Sequence, residues 1–305
     1  MNTIFMYWFR MEGDRQNFGD VLGPYLVEKL TGAKVTYVPI KCSTLKGVAI
    51  YIYRILWGSN KIKDLISLLK KDRRKPTLIS IGSIIGWYNS PNCNIWGSGI
   101  MFKNDAITNA NFYAVRGRCT QQRLKELGYQ VPDVIGDPAL LLPLVYNPIQ
   151  EKKYKLGIIP HFVHFDQTSK QINNPDVLII NLLDNIEKVV KDLKSCQFTI
   201  SSSLHGIIVS HAYGIPSLWY NLPGEKLHGD NIKFLDYFSS IEIDNYEPFE
   251  IQFSTKIEID SIIKNIDDHC DILAISDVLK KLQKGLLEVA PFELLMEYKV
   301  NVLKF

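Results

Sequence analysis

The feature that most constrains the fold of this chain is a regular alternation between short apolar stretches and amphipathic stretches. The apolar stretches have the length of strands, and the segments between them show the apolar spacing of helices. This alternation predicts an α/β protein built on parallel sheets. The predicted strands are "TIFMYWF", "KVTYVP", "PTLISIGSII", "NIWGSGI" and "NFYAVRG" in the first half, and "KYKLGIIPH", "VLIINLL", "QFTISSS" and "PSLWYNL" in the second.

The length of the chain and a polar stretch near its middle predict two domains. A chain of 305 residues exceeds the usual size of one hydrophobic core, and the polar stretch 146–155 separates the two runs of strands. We therefore predict two doubly wound, Rossmann-like domains, at 1–148 and 149–285, followed by a C-terminal helical segment at 286–305. Two such domains face each other across a cleft, and ligands bind there at the carboxyl ends of the strands.

The composition favours a globular cytoplasmic protein. The hydrophobic fraction is 46%, the charged fraction is 22%, and neither a signal peptide nor an apolar run of spanning length is evident. The five cysteines are scattered without a CxxC pair, which suits a reducing compartment. His161 and His164 are three residues apart, but no cysteine or carboxylate pair completes a metal site.

A basic segment at 41–76 stands out against the net charge of +3. It combines ten Lys and Arg residues with only Asp64 and Asp72, and Tyr51, Tyr53 and Trp57 lie among the cations. We predict a helical insertion that either contacts an anionic membrane surface through 46–75 or forms a solvated cap on the domain. The remainder of the chain is net acidic, and no recognised motif is present, so nucleic acid is not an expected partner.

Polar and glycine residues follow the predicted strands in both halves of the chain. Since the carboxyl ends of parallel strands share one edge of a sheet, these residues predict a common site. They are Gly82-Ser83, Gly97-Ser98-Gly99, Arg116, Pro160-His161 and Ser202 to His205.

His205 is the strongest catalytic candidate, because it is placed where a predicted strand passes into a helix. Histidine is suited to proton transfer near neutral pH, and the first turn of a helix would lower its pKa and keep it neutral. The alternative is a histidine that caps or packs locally. His211, further along the same helix, is predicted to be structural.

Arg116, the strand-end glycines and two aspartates each allow two interpretations. Arg116 could hold a phosphate or carboxylate, or it could be a surface cation. The glycines of "GSGI" and "NFGD" could let backbone N–H groups approach an anion, or they could form tight turns. Asp20 and Asp137 could orient a substrate, or they could cap helices.

These motifs, in this order, resemble those of the polysaccharide pyruvyl transferase family, and most closely its bacterial exopolysaccharide branch. They are "NFGD" at 17–20, "GS" at 82–83, "WGSG" at 96–99, "VRG" at 115–117, "GDPALLLP" at 136–143, "GIIPH" at 157–161 and "SSLHG" at 202–206. One departure is Ser203, since other members carry an arginine directly before Leu-His.

The resemblance implies a GT-B-like arrangement and a reaction. Members transfer the pyruvyl group of phosphoenolpyruvate to a sugar, often a lipid-linked intermediate of exopolysaccharide or capsular polysaccharide synthesis, and leave a cyclic pyruvate ketal. A galactose-type acceptor and a location at the inner face of the membrane are expected. Phosphoenolpyruvate would be a substrate, so no cofactor is implied.

For this chemistry we predict His205 as the acid and base, Arg116 as the anion clamp and Asp20 as a further catalytic residue. The predicted substrate-binding residues are Asn17, Gly19, Ser83, Gly97, Ser98, Gly99, Asp137, His161, Ser202, Ser203, Leu204 and Gly206. Two alternatives stay open: a glycosyltransferase that uses a nucleotide sugar on the same scaffold, and a non-catalytic sugar- or membrane-binding relative, which Ser203 favours.

Overall fold

The protein contains two five-stranded parallel sheets with helices packed around them. The computed structural model describes residues 3–39, 45–56, 62–64, 66, 75–88, 91–222, 229–244, 246–251, 261–262, 264, 266 and 276–299. Every strand pairing in both sheets is parallel, which confirms the predicted α/β class. Apolar side chains from both halves join one large core.

The first sheet has the strand order β2-β1-β3-β4-β5. Its strands are β1 (Thr3–Tyr7), β2 (Lys34–Tyr37), β3 (Thr77–Ile79), β4 (Cys93–Trp96) and β5 (Asn111–Ala114). The helices of this half are α1 (Phe18–Thr31), α2 (Leu45–Leu56) and α3 (Arg118–Glu126). As the sequence predicts, α1 begins after Asn17 and ends at Gly32, whose left-handed conformation (φ 63°) suits glycine.

The second sheet has the order β10-β9-β8-β6-β7. Its strands are β6 (Tyr154–Ile159), β7 (Val177–Ile179), β8 (Cys196–Ser201), β9 (Ser217–Asn221) and β10 (Phe249–Glu250). The helices along this part of the chain are α4 (Leu142–Val145), α5 (Phe165–Gln171), α6 (Ile186–Lys194), α7 (Leu204–Ala212) and α8 (Ile232–Ser240). Short 3₁₀ turns cover Ile85–Trp87, Pro138–Leu141 and Phe162–His164.

The last described helix of full length, α9 (Ser276–Glu288), packs against the first half of the chain. The indole N–H of Trp96 donates to the carbonyl of Leu286 at 2.9 Å, and the Gln283 amide donates to the carbonyl of Leu140 at 2.8 Å. The domain boundary predicted at 285/286 therefore falls inside a helix.

Several predicted strands are longer than the strands in the structure. After β3, for example, Ile81, Ile84 and Ile85 are buried although they lie beyond the last paired residue, Ile79. An apolar run indicates burial, and buried loop residues produce the same signal as strand residues. Among the described residues no helix is both long enough and apolar enough to cross a bilayer.

Candidate active site

The candidate site forms where α1 of the first half meets α7 of the second half. The N–H of Phe18, the first residue of α1, donates to the carbonyl of Leu182 at 2.8 Å, which holds the start of α1 against the second sheet. Gly19 then faces His205, and a Cβ atom built on Gly19 would lie 2.1 Å from Nδ1 of that imidazole. The predicted proximity of "NFGD" and "SSLHG" is therefore present in the structure.

Replacing Gly19 with alanine is expected to displace the His205 ring and to lower activity strongly. Gly23→Ala, one turn later in α1, is the matched control, because its Cβ would meet the flexible end of Met6 at 2.7 Å and would only reach ordinary contact with Ile81 at 3.9 Å. Steady-state rates of the two variants at equal folded concentration check this expectation. A Gly19→Ala enzyme as active as Gly23→Ala would contradict the assigned contact.

Asp137 both caps a helical turn and faces His205. Its Oδ1 accepts from the N–H of Ala139 at 2.9 Å at the start of Pro138–Leu141, so the capping interpretation is confirmed. Its Oδ2 is buried without a hydrogen-bond partner and lies 3.8 Å from Nε2 of His205, which is equally unpaired. Buried polar atoms are nearly always paired, so two facing unpaired atoms indicate a place for a shared proton or a substrate atom.

The protonation states of this pair follow from its burial. Burial, with the charges of Arg116 and Lys233, lowers the pKa of His205 to about 3. Burial raises the pKa of Asp137 to about 6, against the hydrogen bond from Ala139 and the charge of Arg116. The predicted lowering for His205 has the right direction, but burial is its main cause, rather than the helix terminus.

Asp20 lies on the same first turn of α1 as Gly19. Its Oδ2 accepts a hydrogen bond of 2.8 Å from the side-chain amide of Asn17. Burial raises the pKa of Asp20 to about 6, while Asn17 and Lys233 act in the opposite direction. The site thus combines one neutral imidazole with two carboxyl groups that titrate close to neutrality.

Arg116 is buried in an ion pair, so the surface-cation interpretation is wrong. It is 0% exposed, and its Nε donates to Asp236 at 3.0 Å, its Nη1 to Ser83 at 2.6 Å and its Nη2 to the carbonyl of Ile100 at 2.8 Å. Asp236 also accepts from the N–H and hydroxyl of Thr120. Arg116 therefore braces the site and adds positive potential, and its direct contact with an anion stays a prediction.

The glycines of "WGSG" pack closely rather than offer donors. The N–H of Gly97 donates to Ala114 and that of Gly99 to Gly82, so the predicted use of these two N–H groups for an anion is wrong. A Cβ on Gly97 would lie 2.1 Å from Pro138, and one on Gly99 2.5 Å from Cζ of Arg116. Ser98 is fully buried and donates to Gly82 at 2.8 Å.

Ser202 and Ser203, which lie between β8 and α7, are held in place by hydrogen bonds to other residues of the protein. Ser202 accepts from the N–H of His161 at 2.9 Å and thereby joins the ends of β8 and β6. Ser203 is buried at the N-cap of α7 without a side-chain capping bond, and its N–H donates to Ser201. Leu204 is buried and Gly206 packs on Ser201. The binding roles of these residues stay predictions.

Lys233, on the first turn of α8, is a site residue that the sequence interpretation missed. Its charge acts on Asp20, His161 and His205. Burial and Arg116 lower the pKa of Lys233 to about 8, although Asp20 opposes this shift. The missed signal is "NIKFLDYFSS", in which Phe234, Tyr237 and Phe238 have helical spacing and place Lys233 at the helix start.

Comparison with known proteins identifies the family of this chain. The model of the family described as polysaccharide pyruvyl transferase matches residues 17–222, which contain all of the motifs quoted above. The chain belongs to this family. It is 32% identical over 243 residues to the uncharacterized protein L143 of Acanthamoeba polyphaga mimivirus, covering 76% of this chain and 74% of that protein. A solved structure of the uncharacterized protein KP1_0663 from Klebsiella pneumoniae covers 82% of this chain and 93% of its own, at 12% identity and a TM-score of 0.37.

Two other histidines of this family member, His161 and His211, differ in whether their ring nitrogens are paired. His161 has a buried, unpaired Nδ1, and its pKa is lowered to about 4 by burial, Lys233 and His164. His211 is hydrogen-bonded to the Tyr237 hydroxyl at 2.8 Å and to the Ser217 carbonyl at 3.2 Å, so its predicted structural role is confirmed. In the described part of the chain no group of three or more His, Cys, Asp or Glu residues could hold a metal ion.

A separate cavity of about 520 Å³ lies at the opposite, amino edge of the first sheet. It is lined by the start of β1, the end of α1 and the segment 292–299. None of the candidate catalytic residues lines it, so this cavity is distinct from the site around His205.

Proposed function

We propose that this transferase moves the pyruvyl group of phosphoenolpyruvate onto a sugar and closes it into a cyclic ketal. The observation that carries the proposal is the facing pair of unpaired atoms, Nε2 of His205 and Oδ2 of Asp137, beside the cation Lys233. This arrangement supplies a proton-transfer pair and positive potential, which are the two requirements of the reaction.

The chemistry proceeds through two additions at one carbon. Protonation of the methylene carbon of phosphoenolpyruvate leaves C2 electron-poor, and a sugar hydroxyl adds there and releases its proton. Phosphate then leaves, and a second hydroxyl adds at C2 and releases another proton. One of the two released protons replaces the one given to the methylene carbon, and the other leaves with phosphate.

The site residues can be assigned to these steps. Lys233, with the potential of Arg116 behind it, binds the phosphate or carboxylate. Neutral His205 accepts a hydroxyl proton, and Asp137 stabilises the imidazolium that results. The bound anion offsets the charges of Arg116 and Lys233 and so raises the pKa of His205. The imidazolium form therefore gives a proton to the methylene carbon first, and the neutral form that remains accepts the proton of the hydroxyl. Asp20 orients an acceptor hydroxyl.

We further propose that the two halves form a GT-B-like cleft and that the acceptor is a galactose-type residue of a lipid-linked polysaccharide intermediate. Residues from both halves contribute to the site, which supports a substrate position between them. Asp20 and Gly19 belong to the first half, and His205 and Lys233 belong to the second.

The test is incubation with phosphoenolpyruvate and a panel of simple β-galactosides, with phosphate release and product mass as readouts. Phosphate release that depends on the galactoside, with a product of the mass of a pyruvate ketal, is the expected result. Parallel reactions contain nucleotide sugars. Consumption of a nucleotide sugar without any turnover of phosphoenolpyruvate would overturn the proposal in favour of a glycosyltransferase.

The pKa of Lys233 predicts a pH limit for donor binding. An ammonium that loses its proton near pH 8 binds an anion below that pH and less well above it, so kcat/KM for phosphoenolpyruvate is expected to fall above about pH 8. Lys233→Arg should move this limit upward, because arginine stays charged, while Lys233→Met should lower kcat/KM throughout. Lys188→Met, at an exposed lysine of α6, is the control. An unchanged profile in Lys233→Arg would show that another group sets the limit.

We propose that the basic segment brings the protein to an anionic membrane surface. The described part of α2 supports this, because Ile52, Tyr53 and Leu56 are 43%, 59% and 79% exposed. Lys70, Lys71, Arg73 and Arg74 lie outside the described residues. Neutralising these four should weaken sedimentation with anionic vesicles, with neutral vesicles as the control. Unchanged sedimentation would leave only the interpretation as a solvated cap.

A further inference from the structure

Two aromatic side chains, Phe9 and Trp87, form an exposed pair beyond the carboxyl ends of β1 and β3. Their rings meet edge to face, with centroids 5.6 Å apart and an interplanar angle of 78°. Phe9 is 36% exposed and Trp87 is 37% exposed, although large aromatic rings are usually more fully covered. We call these two residues the aromatic pair.

The backbone on both sides of the aromatic pair is fixed. Phe9 stands between Trp8, which is buried, and Arg10, whose guanidinium lies 3.7 Å from the ring centroid of Tyr37 and donates to Asp64 at 2.9 Å. On the other side, the N–H of Trp87 donates to Ile84 at 3.0 Å, and a Cβ on Gly86 would lie 3.0 Å from the carbonyl oxygen of Ala106. The pair is therefore preorganised for a ligand.

The aromatic pair lies at the same edge of the first sheet as the catalytic residues. Helix α1 starts at this edge, and the Asp20 charge contributes to the raised pKa of Tyr7, the last residue of β1. Phe9 follows Tyr7 by two residues, a reach of at most about 7 Å. Trp87 follows Ser83, the partner of Arg116, by four residues and at most about 14 Å. Both members of the pair are thus tied by short stretches of chain to residues at the site's edge of the sheet.

We propose that the aromatic pair is an acceptor subsite that holds the pyranose ring next to the one that is modified. This inference rests on the proposed function and adds a second sugar-binding position to it. One face of a pyranose ring carries axial C–H groups and packs on an aromatic ring, while its hydroxyl groups stay in water. Amphipathic aromatic side chains are suited to such half-wet contacts.

The size of the exposed surface favours one sugar ring over a protein partner. Aromatic side chains bury about 150–250 Å² each, so two rings that are about one third exposed offer roughly 100–200 Å². A stable protein interface needs about 800 Å² from each partner. The area fits the face of a single hexose.

The test compares a monosaccharide with a disaccharide on one set of variants. Methyl β-galactoside reaches only the catalytic position, whereas lactose places a second ring on the aromatic pair. In the wild type we expect lactose to have the lower KM and the lower Kd, the latter from NMR titration without phosphoenolpyruvate. Trp87→Ala and Phe9→Ala should raise KM and Kd for lactose about tenfold, with kcat and both values for methyl β-galactoside unchanged.

The matched control is Tyr113→Ala, which removes an equally exposed aromatic ring (38%) from the edge strand β5. Equal losses for both sugars in Trp87→Ala, or no loss for lactose, would overturn the subsite. A changed oligomeric state in Trp87→Ala with unchanged lactose binding would assign the pair to a contact between copies and would also overturn it. The titration needs no turnover, so a failed subsite and a failed transferase reaction are distinguishable.

Discussion

His205→Ala is expected to lower kcat by about 10²–10⁴-fold while the protein stays folded, because a general acid or base contributes about that much. The imidazole makes no hydrogen bond through Nε2 in the structure, and Oδ2 of Asp137 is already unpaired, so the substitution leaves no new unsatisfied group there. Rates of phosphate release and thermal unfolding on the same preparation check both parts of the prediction.

The matched control is His211→Gln on the same helix. His211 is 2% exposed and has partners at both ring nitrogens, so its loss should lower the unfolding temperature and leave kcat of the folded protein nearly unchanged. Opposite effects of these two substitutions are the expected pattern. If His205→Ala behaved like His211→Gln, the catalytic assignment would be withdrawn.

Arg116→Ala is expected to lower the free energy of unfolding by about 3–5 kcal/mol, because it leaves Asp236 buried without its charged partner. Both side chains of this pair are 0% exposed. Ser83 and the carbonyl of Ile100 would lose their hydrogen bonds from the guanidinium as well. Urea unfolding measures the change directly, and loss of activity in this variant would follow largely from loss of structure.

Lys155→Ala is the control for Arg116→Ala, since it breaks an exposed ion pair. The side chain of Lys155 is 52% exposed and that of its partner Asp176 is 47% exposed. An exposed pair contributes about 0–1 kcal/mol, so little change is expected. If Arg116→Ala instead kept wild-type stability and lost binding of phosphoenolpyruvate, Arg116 would be a direct anion ligand and the brace described above would be wrong.

Local sequence signals predicted the elements that carry the site. The strand-to-helix passage at His205, the cap at Asp137 and the limits of α1 all depend on residues within a few positions of each other, and all three appear in the structure. These features follow from backbone capping and apolar periodicity, which a single sequence displays.

Long-range pairing could not be predicted in the same way. Whether Arg116 is exposed or buried depends on Asp236, which lies 120 residues away in the sequence. The occupied N–H groups of Gly97 and Gly99 likewise depend on the neighbouring strand end and loop, at Ala114 and Gly82. Lys233 was missed for a different reason, since its helix has a readable pattern but follows no predicted strand directly.

The packing of α9 makes the order of synthesis matter for this chain. In the part of the chain that the structure describes, the indole N–H of Trp96 donates to Leu286 and the carbonyl of Leu140 accepts from Gln283. Residues 276–288 leave the ribosome long after the strands that they cover. The first sheet therefore keeps part of its apolar surface uncovered until α9 has been synthesised, and a fragment that stops at residue 148 would leave that surface exposed.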